Sequence, residues 1–540
     1  MAKFGRREFM ATTAVAGLLP SESSGAVRPR STGRPKNVLI LMADQHNPNA
    51  LGVAGNPVAH TPHLDALARS GLRFESAYCT DPICVASRAS LLTSLYVHNH
   101  KAYNNSRTWP FDKKSLAYYF GSAGYMTAMI GKMHFVDAQR HGFDYNLDFN
   151  EWFQYLGPKT KIYADELSAP DDGSGQPQVE SEWKEEKDPW AKARISEDPW
   201  AKGKNSESEV VELALATWMP ARTSDGRKGY NHPGRVSLLP EADHFESFVS
   251  RESIRFLQQY GNSHQPFLLI TSFLKPHNPF MPAERFYRMF NASEMRLPQT
   301  WGKVDRATVP AYIRYDLDHP SACPELADPE WAKVRLACYY ASLAQMDYNV
   351  GLVLNSLREL GLENDTIVIY TSDHGDMLGA HGLWQKFVFY EPSVRVPLIF
   401  RVPGLTSQNV ISQTPVSLVQ VLPSLLQLSG VSIPPGLDGR SLVPSLRNPG
   451  MKLDTTIYAE NSLGSRSAGY MIRHGNYKYC YCPNDMPELY NLARDPGEMD
   501  NLALKPEYQG TVRRLQAELF AWHRPTKAEA PDLPMPRVSR

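Results

Sequence analysis

The stretch Asn37-Val38-Leu39-Ile40-Leu41-Met42-Ala43-Asp44-Gln45-His46 decides the fold class. An unbroken apolar run that stops on an acidic residue reads as a strand buried on both faces of a parallel sheet. The C-terminal edge of an open α/β sheet is where ligands gather, and this strand delivers Asp44 and Gln45 there. Asp44 as a simple turn cap is the competing reading of this stretch alone. Thr366-Ile367-Val368-Ile369-Tyr370-Thr371-Ser372 repeats the pattern and ends on Asp373-His374-Gly375-Asp376. Strands are expected near 37–43, 125–130, 266–272, 366–371 and 396–402, with helical patterns at 63–71, 114–123, 243–260, 331–361 and 416–429. That alternation belongs to an α/β protein, a large mainly parallel sheet sandwiched by helices.

The second informative run is Cys84-Val85-Ala86-Ser87-Arg88-Ala89-Ser90-Leu91-Leu92-Thr93-Ser94. A cysteine four residues ahead of an arginine, opening an amphipathic helix-like run, sets a nucleophile beside a cation and near a helix N-terminus. Both features lower a thiol's pKa and favour anions. A lone cysteine is otherwise a small buried hydrophobe. Basic residues also recur in turns after apolar strands: Gly131-Lys132-Met133-His134, Phe273-Leu274-Lys275-Pro276-His277, and His381-Gly382-Leu383-Trp384-Gln385-Lys386. Any one of them alone reads as a solvated charge. Together with two acidic strand ends they read as one cation-rich site. Asp376 and His381 read as loop scaffolding or substrate contacts.

The Cys84 run resembles the sulfatase signature, Cys-x-Pro-Ser-Arg followed by a Leu-Thr-Gly-like segment, and points to a type I sulfatase of the alkaline phosphatase superfamily. The stretch Glu488-Leu489-Tyr490-Asn491-Leu492-Ala493-Arg494-Asp495-Pro496-Gly497-Glu498-Met499-Asp500-Asn501-Leu502 is similar to the sulfatase C-terminal subdomain. The resemblance implies an alkaline phosphatase-like sheet with a small C-terminal α+β subdomain. It implies that Cys84 is oxidised to formylglycine (3-oxoalanine), whose hydrate attacks a sulfate ester through one hydroxyl and expels sulfate through the other, dividing one hard displacement into two steps. It implies a divalent ion held by Asp44, Gln45, Asp373, His374 and the modified Cys84; this oxygen-rich set suits Ca²⁺, with Mg²⁺ or, through the imidazole, Mn²⁺ as alternatives. Lys132 and Lys386 are assigned to the sulfate oxygens, Arg88 to support of the nucleophile and metal, and Lys275 and Asn105 to substrate contacts. His277 is the expected acid for the leaving oxygen, with His134 assisting the hydrate and the reverse assignment open. Three positions depart from the family pattern: Ala86 replaces a proline, Ser94 a glycine and Gln45 an aspartate, the last removing one negative charge from the metal shell.

At 540 residues the chain accommodates a large core and a second subdomain, and its formal net charge of +0 gives no long-range attraction to nucleic acid or anionic membranes. Six cysteines give no disulfide framework. Gly5-Arg6-Arg7-Glu8-Phe9-Met10, a short apolar stretch from Ala11 to Leu19 and a small-residue segment look like a twin-arginine export signal. The expected organisation is a signal and linker at 1–34, a catalytic domain at 35–450 with an insertion or lid at 155–240, and a C-terminal subdomain at 451–540. Expected partners are a sulfated small molecule or glycan, a formylglycine-generating enzyme acting before export and the twin-arginine translocase, with no nucleic acid and no membrane span. The destination is periplasmic or extracellular. The leading reading is hydrolysis of a sulfate monoester on a carbohydrate. The alternatives are a phosphonate monoester or phosphodiester hydrolase, a choline sulfatase-like enzyme, and a degenerate binding protein with unmodified Cys84.

Overall fold

The sheet expected from the apolar runs is present in the computed structural model, which describes residues 37–105, 113–135, 140–160, 234–318, 324–451, 456–465, 467–483 and 485–531. The export signal and most of the expected insertion, including Trp183, Trp190 and Trp200, lie outside these residues. Nine strands form the main sheet: β1 (Asn37–Asp44), β2 (Leu72–Tyr78), β3 (Met126–Gly131), β4 (Tyr145–Leu147), β5 (Phe267–Pro276), β6 (Thr366–Ser372), β7 (Arg395–Arg401), β8 (Val410–Ser412) and β9 (Val416–Ser417). Their spatial order is β4-β3-β5-β1-β6-β7-β2-β8, with β9 also on β2. The pairings from β4 through β6 are parallel, whereas β7 runs antiparallel to both β6 and β2. The sheet is therefore mixed and mostly parallel.

Burial on both faces explains the unbroken apolar runs. Along β1, Leu39, Leu41 and Ala43 enter one core while Val38, Ile40 and Met42 enter the other, the period of two that a pleated strand imposes. The first core is closed by α1 (Pro62–Arg69), α5 (Phe149–Leu156), α6 (Phe245–Tyr260) and the 31-residue α7 (Pro329–Glu359). Leu336, Tyr339, Leu343, Met346, Val350 and Val353 of α7 recur at steps of three and four, so one stripe lies along the sheet. The opposite face carries α2 (Cys84–Thr93), α4 (Leu116–Ser122) and α8 (Val421–Ser429).

Two expectations need correction, and one strand was not among those expected. The helix α2 is not amphipathic, since all ten of its residues are buried. The helix expected over 416–429 begins only at Val421, because Val416–Ser417 pairs with β2. And β2 lies outside the expected strands, since its apolar residues alternate with Arg73 and Glu75 instead of forming an unbroken run.

The C-terminal subdomain is a four-stranded antiparallel sheet, β10 (Thr456–Asn461), β11 (Gly469–His474), β12 (Tyr477–Tyr481) and β13 (Glu488–Asn491), followed by α9 (Gln509–Trp522). Tyr470, Ile472, Leu515 and Leu519 share a core with Ile83, Ala86 and Val97. Ala86 thus packs where the small sheet meets the start of α2. Among the described residues no helix is long and apolar enough to cross a membrane.

His46, His100, His244 and His381 are buried, and burial holds their imidazoles down, to about 4, 3, 3 and 4 respectively. The unfolded chain binds protons at these histidines below about 6.5 while the folded one does not. Folding free energy is therefore expected to be full above pH 6.5 and to fall between pH 6.5 and 4, by about 1.4 kcal/mol per histidine per pH unit. Urea unfolding at stepped pH measures this slope.

Candidate active site

Four adjacent parallel strands, in the order β3-β5-β1-β6, end at one edge and deliver the site. β1 ends on Asp44 and leads into Gln45; β6 leads into Asp373 and His374; Lys132 and His134 follow β3; His277 follows β5. Cys84 enters from the side as the first residue of α2, with Ile83 still extended. The backbone bends sharply here: Gln45, His134, Gln385 and Phe387 all have positive φ, a conformation that costs a side-chain-bearing residue about 1–3 kcal/mol and collects at functional sites. Gly131, at φ 107°, lies so close to β5 that a Cβ there would meet the Ser272 carbonyl oxygen at 1.9 Å.

Arg88 is the hub. It is 1% exposed, and its Nε donates to Asp373 Oδ2 at 2.8 Å while Nη2 donates to Asp44 Oδ2 at 3.0 Å. Nη1 donates to Ser272 Oγ at 3.0 Å and to the Lys132 carbonyl. One planar guanidinium thus joins the ends of β1, β3, β5 and β6. Lys132 Nζ adds a second cation on Asp44 Oδ2 at 2.6 Å. Burial would raise the Asp44 carboxyl and a Cys84 thiolate would add to that, but the fixed cations Lys132 and Arg88 hold it below the usual carboxylate range, with His277 adding to them where its ring is protonated.

With Oδ2 taken by the two cations, Asp44 turns Oδ1 towards Cys84 Sγ at 4.0 Å and His374 Nε2 at 3.8 Å. His374 hydrogen-bonds the Gly375 carbonyl through Nδ1 at 2.9 Å, which turns Nε2 to Cys84 Sγ at 3.3 Å; burial would lower its imidazole, but Asp373 and a Cys84 thiolate outweigh that and raise it, and a bound metal would take Nε2 in place of the proton. Asp376, which the sequence left between scaffold and substrate contact, accepts from Gln45 Nε2 at 2.5 Å. This turns the Gln45 Oε1 the other way, to Lys386 Nζ at 3.0 Å. Asp44, Cys84, Asp373 and His374 each offer one atom within 4.8 Å of the others, so a divalent metal has two carboxylates, an imidazole and residue 84 to bind, with the Gln45 amide oxygen beside them. The donor set fits the group.

The thiol has company suited to a nucleophile. Lys386 Nζ lies 3.1 Å from Cys84 Sγ and 3.0 Å from His277 Nε2. Burial alone would push the Cys84 thiol up, but Lys386, Lys132 and His374, with a hydrogen bond from His134, hold it well below the usual range. His277 hydrogen-bonds the Asn278 carbonyl through Nδ1 at 2.5 Å; burial, with Lys386 and Lys132 nearby, lowers its imidazole to about 4, so the ring is neutral near pH 7.

Two expected substrate contacts lie elsewhere. Lys275 is still part of β5, and its Nζ donates to the Met281 carbonyl at 2.9 Å instead of joining the cluster. Asn105 accepts from the Val85 backbone at 3.2 Å through Oδ1, steadying the first turn of α2. His381 stacks on Tyr390 and bonds the Gly497 carbonyl at 2.8 Å, a scaffold role.

The sulfatase family model matches residues 36–431, and a model for the C-terminal part of N-sulphoglucosamine sulphohydrolase matches residues 379–524. The chain is 29% identical to a choline-sulfatase of Rhizobium meliloti, over 88% of this chain and 84% of that one. It is 27% identical to an N-acetylglucosamine-6-O-sulfatase of Bacteroides thetaiotaomicron, over 93% and 88%. Its fold is shared with the crystal structure of a phosphonate monoester hydrolase of Agrobacterium radiobacter, at TM-score 0.71, 23% identity and coverage of 90% and 95%.

Lysine cannot span both carboxylates as the guanidinium does. Arg88→Lys is expected to lower stability by about 3–5 kcal/mol, the cost of leaving a buried charge without its partner. Guanidinium chloride unfolding reads it as a drop in midpoint with an unchanged slope.

Proposed function

The chain belongs to the sulfatase family and is a sulfuric ester hydrolase, and from that premise we propose that it cleaves a sulfate monoester of a carbohydrate with a nucleophile made from Cys84. The observation that carries the reading is the ring of donors on residue 84: Lys386 Nζ at 3.1 Å, His374 Nε2 at 3.3 Å and the His134 hydrogen bond, with Asp44 Oδ1 at 4.0 Å. Oxidised to formylglycine, residue 84 supplies a hydrate hydroxyl to attack sulfur and a carbonyl whose return releases sulfate, while a divalent ion supplies charge beside it. Asp44, Gln45, Asp373 and His374 would hold that ion. Three of these four donors are oxygens, which favours Ca²⁺ over Mn²⁺.

The chain's own groups do the rest. Three fixed cations, Arg88, Lys132 and Lys386, face two carboxylates, Asp44 and Asp373, so the site carries an excess of positive charge suited to a sulfate group. Arg88 is held by both carboxylates and acts by positioning. Lys132 and Lys386 are the cations for sulfate oxygens. His277 Nε2 accepts from Lys386 Nζ, so the pair carries a proton within reach of residue 84 that can pass to a departing alcohol oxygen. His134 borders residue 84 and polarises its oxygen. Exclusion of bulk water strengthens each of these interactions.

The amino-sugar sulfatase among the relatives supports a carbohydrate substrate, and the choline-sulfatase keeps a small zwitterionic sulfate ester as the second reading. Arg6-Arg7 and the apolar stretch after them support export by the twin-arginine translocase, which carries folded proteins. Formylglycine formation on Cys84 would then precede export to the periplasm or beyond.

The test is a substrate panel of aryl sulfate, sulfated sugars, choline sulfate, phosphodiester and phosphonate, run with mass spectrometry of the Cys84 peptide. Hydrolysis of sulfated sugars, loss of turnover in Cys84→Ala, and a fall of about 10²–10³ in kcat for Lys132→Ala are expected. Chelation should abolish turnover and Ca²⁺ should restore it. Full activity in protein whose residue 84 is entirely thiol would defeat the proposal, and a preference for choline sulfate would move it to the second reading.

A further inference from the structure

The segment Leu383-Trp384-Gln385-Lys386-Phe387-Val388-Phe389-Tyr390 holds one residue that neither the core nor the mechanism uses. Leu383, Trp384, Val388, Phe389 and Tyr390 are all buried, whereas Phe387 is 38% exposed. A lone exposed phenylalanine needs no explanation, but this one also has φ 76°. That left-handed backbone is strained for a ring-bearing residue and free of strain for glycine. An apolar side chain kept there gains little from burial, so its retention points to a ligand.

Three contacts from the C-terminal subdomain hold the backbone in this shape. Asn461 Nδ2, at the end of β10, donates to the Phe387 carbonyl at 2.5 Å. Lys478 Nζ, on β12, donates to the Phe389 carbonyl at 2.7 Å, and the Glu391 N–H donates to Glu498 Oε2 at 2.7 Å. Asn461, Lys478 and Glu498 are buried, so the strained turn is fixed from behind. The ring turns back towards the lysine before it: Lys386 Nζ lies 5.9 Å from its centroid and 3.1 Å from Cys84 Sγ. Cys84, Lys132, His134, His277 and Lys386 are themselves buried. Phe387 therefore puts an exposed ring on the solvent side of the cation pocket, the side on which a sulfate gripped by Lys132 and Lys386 leaves its alcohol.

Resting on the sulfate ester reading above, we propose that Phe387 selects the alcohol half of the ester, its ring stacking on the C–H face of a neutral pyranose. The face of an aromatic ring is electron-rich and the C–H bonds of a sugar face are polarised positive, so the two attract while excluding water. A quaternary ammonium is also drawn to such a face. Here Lys386 already lies beside the ring, and Arg88 and Lys132 add to the positive excess, so a cationic alcohol is repelled. The ring thus favours a sugar ester over a choline ester, while the grip on sulfate is common to both.

The test compares kcat/KM of the matured full chain for N-acetylglucosamine 6-sulfate, ethyl sulfate and choline sulfate, in the parent and in Phe387→Ala and Phe387→Trp. The preference for the sugar ester over ethyl sulfate is expected to fall by about 10-fold in Phe387→Ala, chiefly through KM, and to hold or rise in Phe387→Trp. A ratio that stays the same in Phe387→Ala, whether both rates hold or both fall together, would reduce Phe387 to support of the Lys386 segment and overturn the proposal. A loss confined to choline sulfate would overturn it too, by placing a quaternary ammonium on the ring. A parent chain that cleaves phosphonates and not sulfates would count against the proposed function alone, and phosphonate monoesters of the same alcohols would then decide the role of the ring.

Discussion

The contact between the Arg88 guanidinium and the two carboxylates of Asp44 and Asp373 is the constraint on which the rest depends. Two acidic strand ends on neighbouring strands repel each other, and burial raises the cost of charging either. A single buried cation between them, with Nε and Nη2 at 2.8 and 3.0 Å, offsets that cost at one sheet edge: Asp44 is held below the usual carboxylate range, and the rise that burial imposes on Asp373 is opposed by Arg88. Because Arg88 comes from α2 four residues after Cys84, the same contact fixes residue 84 against that edge. The nucleophile and the metal-binding acids are therefore positioned by one interaction.

Charge balance then follows from the surrounding residues. Lys132 fills the remaining side of Asp44 Oδ2 and Lys386 reaches Gln45 Oε1, so a cation holds each of these two side chains while Asp44 Oδ1 faces residue 84. Gln45 in place of a second aspartate lowers the negative charge of the shell by one. Asp376 compensates in geometry by holding the amide nitrogen away from the site and the amide oxygen towards it. Ala86, the departure from the signature, is accommodated in the core shared with Tyr470 and Ile472, which makes the C-terminal sheet part of the support for α2.

Much of this was legible in the sequence. Asp44 and Asp373 announce themselves because strands buried on both faces are apolar until the edge, where the chemistry begins. Lys132, His134, His277 and Lys386 stood out as basic residues in turns after apolar strands, but only the resemblance gave them roles, since a lysine or histidine in a turn has no local signature of what it meets; the structure brings all four to Cys84. Lys275 went astray because the strand persists to Pro276, and the side chain follows the strand's pleat to the Met281 carbonyl. Asn105 supports the helix backbone. β2 was invisible because its alternating pattern includes charges, and the role of Asp376 could be found only from the contact it makes across 331 residues of chain.

The most direct measurement is anomalous diffraction from crystals of the matured protein soaked with a heavier Ca²⁺ substitute. The account predicts an anomalous peak bound by Asp44, Gln45, Asp373 and His374 beside residue 84, with Arg88 still bridging both carboxylates. A peak away from these four residues, or Asp44 and Asp373 drawn apart with Arg88 contacting only one, would contradict it.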